Sequence, residues 1–251
     1  MQTVAVPYHL DEHLPDLDLP RAAASVVAAD LGGGDQWARM AVLYGRLADI
    51  VAGAVTDGAV PLVLSGDCTT ALGTVAGLQH AGLDPGVVWL DAHGDLHTPS
   101  STSSGYLGGM PLRLIVGACP ELVGASLGLR AVPEDRVVLV GARDLDPPEV
   151  NYLAGAAIRT CDVAALDPAA PDPVELPGGP LYVHLDGDVI DAAEIPGLRY
   201  PAPGGPGRAA VANALRTLLR TGRVAAVGLA CTWQPGHGAA AAIAPVLAAL
   251  A

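Results

Sequence analysis

The most informative stretch of this chain is GVVWLDAHGDLH, at residues 86–97. In it an apolar run ends in a cluster of acidic and histidine residues. Two other apolar runs end in the same way: Pro61–Leu64 leads into SGDC, and Leu181–Leu185 leads into DGDVID. In open α/β sheets ligands bind beyond the carboxyl ends of the strands. The sequence therefore predicts that these three clusters meet at one edge of a sheet.

The rest of the chain alternates short Val- and Leu-rich runs with longer helical segments. The apolar runs are nearly continuous, as in strands that helices cover on both faces. Strands are predicted at Thr3–Pro7, Pro61–Leu64, Gly86–Leu90, Arg136–Val140, Ala156–Thr160, Leu181–Leu185 and Arg223–Leu229. Helices are predicted at Gln36–Ala54 (after an Asp35 N-cap), Thr69–Ala81, Ala209–Thr221 and Ala239–Leu250. We therefore expect one domain over residues 1–251, with a three-layer α/β/α fold and a mostly parallel central sheet.

The composition excludes several classes of protein. The chain has 251 residues, 51% hydrophobic and 16% charged, with a formal net charge of −13. It is too apolar for a disordered protein, and its acidity argues against nucleic acid and anionic membranes as partners. Without a bilayer-spanning run or an export signal, we expect a soluble, cytoplasmic protein. The four cysteines form no CxxC pair, which argues against a disulfide scaffold or a zinc knuckle.

Asp and His at short alternating spacing form the typical ligand set of a divalent transition metal. Carboxylates brought together at a buried edge repel one another unless cations compensate. Two metals that share bridging carboxylates would also activate a water molecule. The alternative is that each Asp caps a helix or forms a turn, which is the better interpretation for DGD alone. The three clusters together favour a metal site.

These motifs resemble those of the ureohydrolase family, which comprises arginases, agmatinases and formimidoylglutamases. The family has a GGDH-type segment, a DAHxD segment and an SxDxD segment. This chain has, in the same order, SGDC at 65–68, DAHGD at 91–95 and HLDGD at 184–188. Its segments TSSG at 102–105 and RDLDPPE at 143–149 are similar to substrate-binding loops of arginases. The resemblance implies an arginase-like fold and a hydrolase that acts on linear amidines.

The resemblance also implies a ligand set and a substrate class. One Mn²⁺ would bind Cys68, Asp91, Asp95 and Asp186, and a second would bind Asp91, His93, Asp186 and Asp188. The candidate catalytic residues are Asp95, His97 and Thr232, and the candidate substrate contacts are His97, Ser104, Asp146 and Glu149. The expected partner is a small guanidino amino acid. Because the chain ends within its last predicted helix, we expect a monomer rather than the arginase trimer.

Three positions depart from the arginase pattern. Cys68 stands where the family has a histidine. Its thiolate makes the site more negative and favours zinc, which leaves zinc as an alternative to manganese. Gly108, in the segment SGYLGG, stands where arginases have the histidine that transfers protons. Thr232 stands where arginases and agmatinases have a glutamate that pairs with the substrate guanidinium. The last two losses concern groups that serve the guanidinium of arginine.

These losses point to an altered guanidine in the substrate. Arginine keeps its proton up to a pKa of about 12.5–13.8, so its hydrolysis calls for charge pairing and proton delivery. N-hydroxylation lowers that basicity. We therefore expect Nω-hydroxy-L-arginine as the substrate and hydroxyurea and L-ornithine as products, similar to the branch of the family that serves D-cycloserine biosynthesis. The alternatives are another guanidino compound, an amide cleaved with one zinc ion, and a non-catalytic arginase-like binding protein.

Two histidines outside the ligand set have open assignments. His184 shares strand parity with Asp186 and Asp188, so it either orients a metal ligand or packs as a core histidine. His237, in a PGHG segment, is a candidate for the missing proton transfer. Three further histidines have no motif context and are interpreted as surface residues: His9, His13 and His80.

Overall fold

A computed structural model describes residues 1–250 of the chain. The strands are β1 (Gln2–Val6), β2 (Tyr8–His9), β3 (Glu12–His13), β4 (Ser25–Val26), β5 (Pro61–Ser65), β6 (Gly86–Leu90), β7 (Val137–Val140), β8 (Arg159–Cys161), β9 (Leu181–Asp186) and β10 (Val224–Ala230). Eight of them form one sheet in the order β4-β1-β5-β10-β9-β6-β7-β8. Every neighbouring pair in this sheet is parallel. The other two, β2 and β3, form an antiparallel hairpin.

Helices follow most of the strands. They are α1 (Gln36–Thr56), α2 (Ala71–His80), α3 (Pro111–Ile115), α4 (Pro147–Leu153), α5 (Arg208–Arg220) and α6 (Ala239–Leu247). The side chain of Asp35 accepts the backbone N–H of Ala38 at 2.8 Å, which confirms the predicted N-cap of α1. Within α1, Leu43, Leu47 and Val51 are fully buried. Their spacing of four residues places them on one face of the helix.

Both faces of the sheet are covered, and this explains why its strands are apolar throughout. On one face, Val63 and Trp89 of the sheet pack with residues of α1, α2 and α3. On the other face, Leu64 and Leu90 pack with residues of α5 and α6. The predicted three-layer α/β/α fold with a mostly parallel central sheet is confirmed.

The structure contains all seven predicted strands, and the ends of all but β6 differ from the prediction. The largest difference is at β8, which begins at Arg159 rather than at Ala156. The predicted helix from Thr69 begins instead with a 3₁₀ turn over Cys68–Thr70. The last helix, which contains Pro245, ends at Leu247 and continues as a 3₁₀ turn. The hairpin, the edge strand β4 and the short helices α3 and α4 were not predicted, because elements of this length carry little periodicity.

The order of the strands determines where the chemistry lies. Strands β5, β10, β9 and β6 are consecutive neighbours at the centre of the sheet. Their carboxyl ends lead to Cys68, Thr232, Asp186 and Asp91 respectively. The predicted clusters, although distant in sequence, therefore meet at one edge of the sheet. Among residues 1–250, no helix combines the length and the apolar character needed to cross a bilayer.

The close packing of α2 against α1 yields a test of the fold. A Cβ atom on Gly77 would lie 2.6 Å from the carbonyl oxygen of Ala48 and 2.7 Å from Cβ of Val51. We expect Gly77→Ala to lower the free energy of unfolding by about 1–3 kcal/mol, because the two helices must move apart. The matched control is Gly53→Ala, since no atom lies within 4 Å of a Cβ there. It should be neutral or stabilise by about 0.5–1 kcal/mol. Urea denaturation measures both, and equal effects would contradict this packing.

Candidate metal centre

All the predicted metal ligands, catalytic residues and substrate contacts line a single cavity of about 400 Å³. The cavity lies beyond the carboxyl ends of the central strands, as predicted. Its floor is formed by buried acids and a thiol, and its rim by the loop around Ser104 and by the segment that leads into α4. The arrangement of the donor atoms therefore decides what the cavity can bind.

Cys68 lies at the start of a 3₁₀ turn directly after β5. Asp67 caps this turn by accepting the backbone N–H of Thr69 at 2.8 Å. The thiol of Cys68 is buried, with Sγ 2.9 Å from Oδ2 of Asp186 and 3.9 Å from Oδ2 of Asp91. Burial, together with the neighbouring carboxylates, raises the pKa of the Cys68 thiol well above its usual value. A cation among these donors would reverse this effect, because metals bind the thiolate.

His93 holds the opposite side of the cluster. Its Nδ1 lies 3.1 Å from Oδ2 of Asp188 and 3.5 Å from Oδ1 of Asp91. Burial alone would lower the pKa of His93, but the hydrogen bonds and charges of Asp188 and Asp91 raise it to about 12. A divalent metal would bind the neutral ring.

The two central carboxylates are fixed in orientation. Asp186 accepts the backbone N–H of Asp188 at 3.0 Å and the hydroxyl of Thr232 at 2.6 Å, both through Oδ1. Asp91 accepts the backbone N–H of His93 at 2.8 Å and the indole N–H of Trp89 at 3.1 Å. Burial and the charge of Asp188 raise the pKa of Asp186 to about 7. Burial and the charge of Asp91 raise the pKa of Asp188 to about 6.

Asp95 provides the clearest sign that a cation is needed. Its backbone has a φ of +54°, in the left-handed region that few non-glycine residues adopt. Its carboxylate is buried, and Oδ2 has no hydrogen-bond partner among the described residues. Burial and the charge of Asp91 raise the pKa of Asp95 well above its usual range. A strained backbone that points an unpartnered oxygen into an acidic cavity fits a metal ligand.

These donors form two groups that could hold an ion. Asp91, His93 and Asp188 offer oxygen and nitrogen atoms that lie within 4.8 Å of one another. Cys68, Asp91 and His184 form a second such group, with Asp95 and Asp186 nearby in the same cavity. Carboxylates suit Mn²⁺, whereas the thiol suits a softer ion such as Zn²⁺. The donor set therefore fits a centre for two divalent ions.

His97 and Asp146 line the rim of the cavity as a hydrogen-bonded pair. Nε2 of His97 lies 3.0 Å from Oδ2 of Asp146, and its Nδ1 lies 3.3 Å from Oγ of Ser101. His97 is buried, but the Asp146 carboxylate remains 59% exposed and open to a ligand. Ser104 is exposed at the same rim, where its Oγ accepts the backbone N–H of Tyr106 at 3.2 Å.

Both carboxylate oxygens of Glu149 accept hydrogen bonds from the backbone. Glu149 lines the cavity, but its Oε1 accepts the backbone N–H of Leu96 and its Oε2 accepts that of Asp146, each at 3.0 Å. It thereby ties the loop after β6 to the start of α4. This geometry favours a role in positioning Asp146 over direct contact with a substrate.

Tyr106 has no motif to mark it in the sequence, yet it fills the space beside Gly108. A Cβ on Gly108 would lie 2.3 Å from the ring and hydroxyl of Tyr106. The ring is stacked on His9 at 5.8 Å between centroids, and the Tyr106 hydroxyl lies 3.4 Å from Nε2 of His9. The interpretation of His9 as a surface residue is therefore wrong, whereas His13 and His80 are exposed as expected. A bulky neighbour of a glycine leaves no signal in a single sequence.

Two further residues, His237 and Arg143, do not line the cavity. His237 is exposed and does not line the cavity, so it is not placed to transfer a proton there. Arg143, in the RDLDPPE segment, donates to the backbone carbonyls of Asp188 at 2.9 Å and Ala202 at 2.8 Å. Its guanidinium therefore holds the loop after β9 in place.

Comparison with known proteins agrees with this site. The model of the Arginase family matches residues 8–239. The chain belongs to the arginase family. The arginase of Staphylococcus aureus strain MRSA252 is 31% identical over 166 residues, which cover 62% of this chain and 54% of that protein. The chain thus aligns with about half the length of the curated arginases that it matches.

Solved arginase structures share the fold over nearly the whole chain. The arginase from Bacillus cereus has a TM-score of 0.81 at 23% identity and covers 99% of this chain and 97% of its own. The arginase from Entamoeba histolytica, solved in complex with L-ornithine, has a TM-score of 0.80 at 19% identity and covers 100% and 99%. The eight-stranded sheet is therefore that of the arginase family.

The metal centre predicts a stabilisation that depends on pH. At pH 8, Mn²⁺ at about 100 times its Kd should add about 2.7 kcal/mol, which raises Tm by about 5–10 °C in a chain of this size. At pH 5.5 the rise should be smaller, because protons occupy carboxylates whose pKa values, about 7 for Asp186 and about 6 for Asp188, are raised. Differential scanning fluorimetry with and without EDTA measures both shifts.

Two variants separate this effect from general ion binding. Asp188→Asn removes a donor of the cluster and should abolish most of the Mn²⁺-dependent rise in Tm. Asp191 lies three residues further along and outside the cavity, where it accepts the backbone N–H of Ala193 at 2.8 Å. Asp191→Asn should keep the full rise. Loss of the rise in both variants, or in neither, would contradict the assignment.

Proposed function

We propose that this chain is a binuclear manganese ureohydrolase that cleaves Nω-hydroxy-L-arginine to hydroxyurea and L-ornithine. Hydrolysis adds water across the bond between the guanidine carbon and Nε of the substrate. That bond breaks, the water oxygen becomes the carbonyl oxygen of hydroxyurea, and the leaving ornithine amine takes up a proton. The observation that carries the proposal is that Tyr106 fills the space beside Gly108 while the acidic metal cluster stays complete.

The ligands follow from the cluster. Cys68, Asp91, Asp95 and Asp186 would hold one ion, and Asp91, His93, Asp186 and Asp188 the other. When bound, the ions would supply a water molecule of lowered pKa and polarise the group under attack. Thr232 fixes Asp186 through the 2.6 Å hydrogen bond to its Oδ1, so that Oδ2 faces Cys68. With zinc in place of manganese, the same residues would serve.

The part of the cavity that faces the guanidine favours a less basic group than arginine. Thr232 contributes a hydroxyl that is already engaged with Asp186, so no carboxylate stands at this position. Gly108 contributes no side chain, and Tyr106 occupies the volume that a proton-carrying residue would need. Burial raises the pKa of Tyr106, so its phenol stays neutral. A neutral N-hydroxyguanidine therefore fits this surface better than a guanidinium does.

The rim fits the amino-acid end of such a substrate. The exposed carboxylate of Asp146 is oriented by His97 and can accept an α-ammonium group. The hydroxyl of Ser104 can donate to an α-carboxylate. A product with the same amino-acid end, L-ornithine, is bound in the structure of the Entamoeba histolytica arginase. The proposal extends to a monomeric, cytoplasmic enzyme that supplies hydroxyurea for D-cycloserine biosynthesis.

A substrate panel tests the proposal. Purified protein is loaded with Mn²⁺ and given L-arginine, Nω-hydroxy-L-arginine, agmatine and an N-acetyl amine, and ornithine, urea and hydroxyurea are quantified. We expect kcat/KM for L-arginine to lie about 10²–10⁴-fold below that for the hydroxylated form, the usual contribution of one positioned proton-transfer group. Equal turnover of L-arginine would overturn the assignment of substrate. One zinc ion with amide cleavage, or no turnover at all, would overturn the reaction.

The contact between Tyr106 and Gly108 predicts that substitutions at the two positions have non-additive effects on activity. Gly108→Ala should displace the ring and lower kcat/KM for Nω-hydroxy-L-arginine by about 10²-fold, the cost of misplacing a site group by about 1 Å. In a Tyr106→Asn background the same change should have no further effect. The control is Gly109→Ala, whose Cβ would meet only Cδ2 of His97, at an ordinary 3.6 Å. Additive effects of the two changes would contradict the contact.

A further inference from the structure

His184 is a buried histidine with one free ring nitrogen. It lies in β9 and is 2% exposed. Its Nδ1 lies 3.0 Å from the hydroxyl of Tyr182, but Nε2 is buried and has no hydrogen-bond partner among the described residues. A buried polar atom that loses its hydrogen bonds to water and gains none in the protein destabilises the folded chain. Such an atom therefore calls for a partner that protein atoms do not supply.

The ring is held rigidly by its neighbours on three strands. It pairs with Trp89 across β6 and β9, and the two rings stack with centroids 3.6 Å apart and planes inclined by 16°. Gly228 on β10 leaves the room that this arrangement needs, because a Cβ there would lie 2.4 Å from the Tyr182 hydroxyl. The imidazole is thus held in one orientation by its neighbours. A metal site needs ligand side chains that are preorganised in this way.

The ring of His184 lies beside the acidic cluster. One of its ring nitrogens, Sγ of Cys68 and a carboxylate oxygen of Asp91 all lie within 4.8 Å of one another. Nδ1–H donating to the Tyr182 hydroxyl would leave the lone pair of Nε2 for a cation. A histidine ligand commonly has such a hydrogen bond on its other nitrogen.

We propose that Nε2 of His184 is a further ligand of the ion on the Cys68 side of the centre. The inference rests on the proposed function, because it assumes that the cluster holds metal. It explains how the site accommodates Cys68 where the family has a histidine. The thiolate adds charge and removes a nitrogen donor, and His184 returns a nitrogen donor from β9. Sulfur and nitrogen together make this the softer of the two positions.

Cobalt titration tests the proposal through spectra rather than activity. Protein stripped of metal is titrated with Co²⁺ and followed by absorption of the d–d bands and of the thiolate-to-cobalt charge-transfer band. We expect both in the wild type. In His184→Gln the charge-transfer band should remain, the d–d bands should shift, and the affinity for the ion that contacts sulfur should fall by at least about 10–100-fold. His80→Gln, an exposed histidine, is the matched control and should match the wild type.

A measurement on the wild type covers the case in which the variant does not fold. Protein with ¹⁵N-labelled histidine is loaded with ¹¹³Cd²⁺, and coupling between the metal and Nε2 of His184 is sought by NMR. The coupling is expected. Its absence, with two ions bound and Cys68 coupled to one of them, would overturn the role of His184 and leave the proposed function standing. A wild type that binds no Mn²⁺, Co²⁺ or Cd²⁺ would instead overturn the proposed function itself.

Discussion

Charge compensation at the carboxyl edge of the sheet is the constraint on which this site depends. Asp91, Asp95, Asp186 and Asp188 are each at most 5% exposed, and Cys68 is buried beside them. An uncompensated buried charge costs several kcal/mol. Several such charges together would exceed the free energy of unfolding of a typical domain, about 5–15 kcal/mol. The raised pKa values of all four carboxylates express the same cost. Such a cluster is consistent with a protein that binds cations at this edge of the sheet. Two divalent metal ions would compensate four carboxylates within a small volume.

The topology makes this concentration of charge unavoidable. Because β5, β10, β9 and β6 are adjacent and parallel, the segments after these strands all arrive at the same place. The backbone then sets the finer geometry, through the cap that Asp67 provides to the turn at Cys68 and the left-handed backbone of Asp95. Arg143 and Glu149 tie neighbouring loops to this frame through backbone groups. The acidic side chains are thus held in place by the sheet itself, and the rim of the cavity is formed by loops attached to the sheet.

Features that arise from local pattern were predictable from the sequence. Apolar runs located the central strands, and motif spacing located the acids, because both depend on residues that are close in the chain. The residues that were missed depend on contacts between distant segments. Tyr106 was missed because its ring lies over Gly108 and against His9, 97 residues away. The free nitrogen of His184 becomes evident only from its surroundings, with Trp89 stacked on the ring. Glu149 was given a substrate role because its two backbone partners could not be inferred from sequence.

The departures from the arginase pattern occur together with neighbours that accommodate them. Gly108 lies against Tyr106, whose ring occupies the vacated volume. Cys68 lies against His184, which we propose returns the lost nitrogen donor. Residues in direct contact do not contribute independently, so each pair has to be considered as a unit. A single departure would suggest a decayed site, but two departures with fitted neighbours and an intact acidic cluster support our proposal of an altered substrate. Such fitted pairs favour a less basic substrate over a silent binding protein.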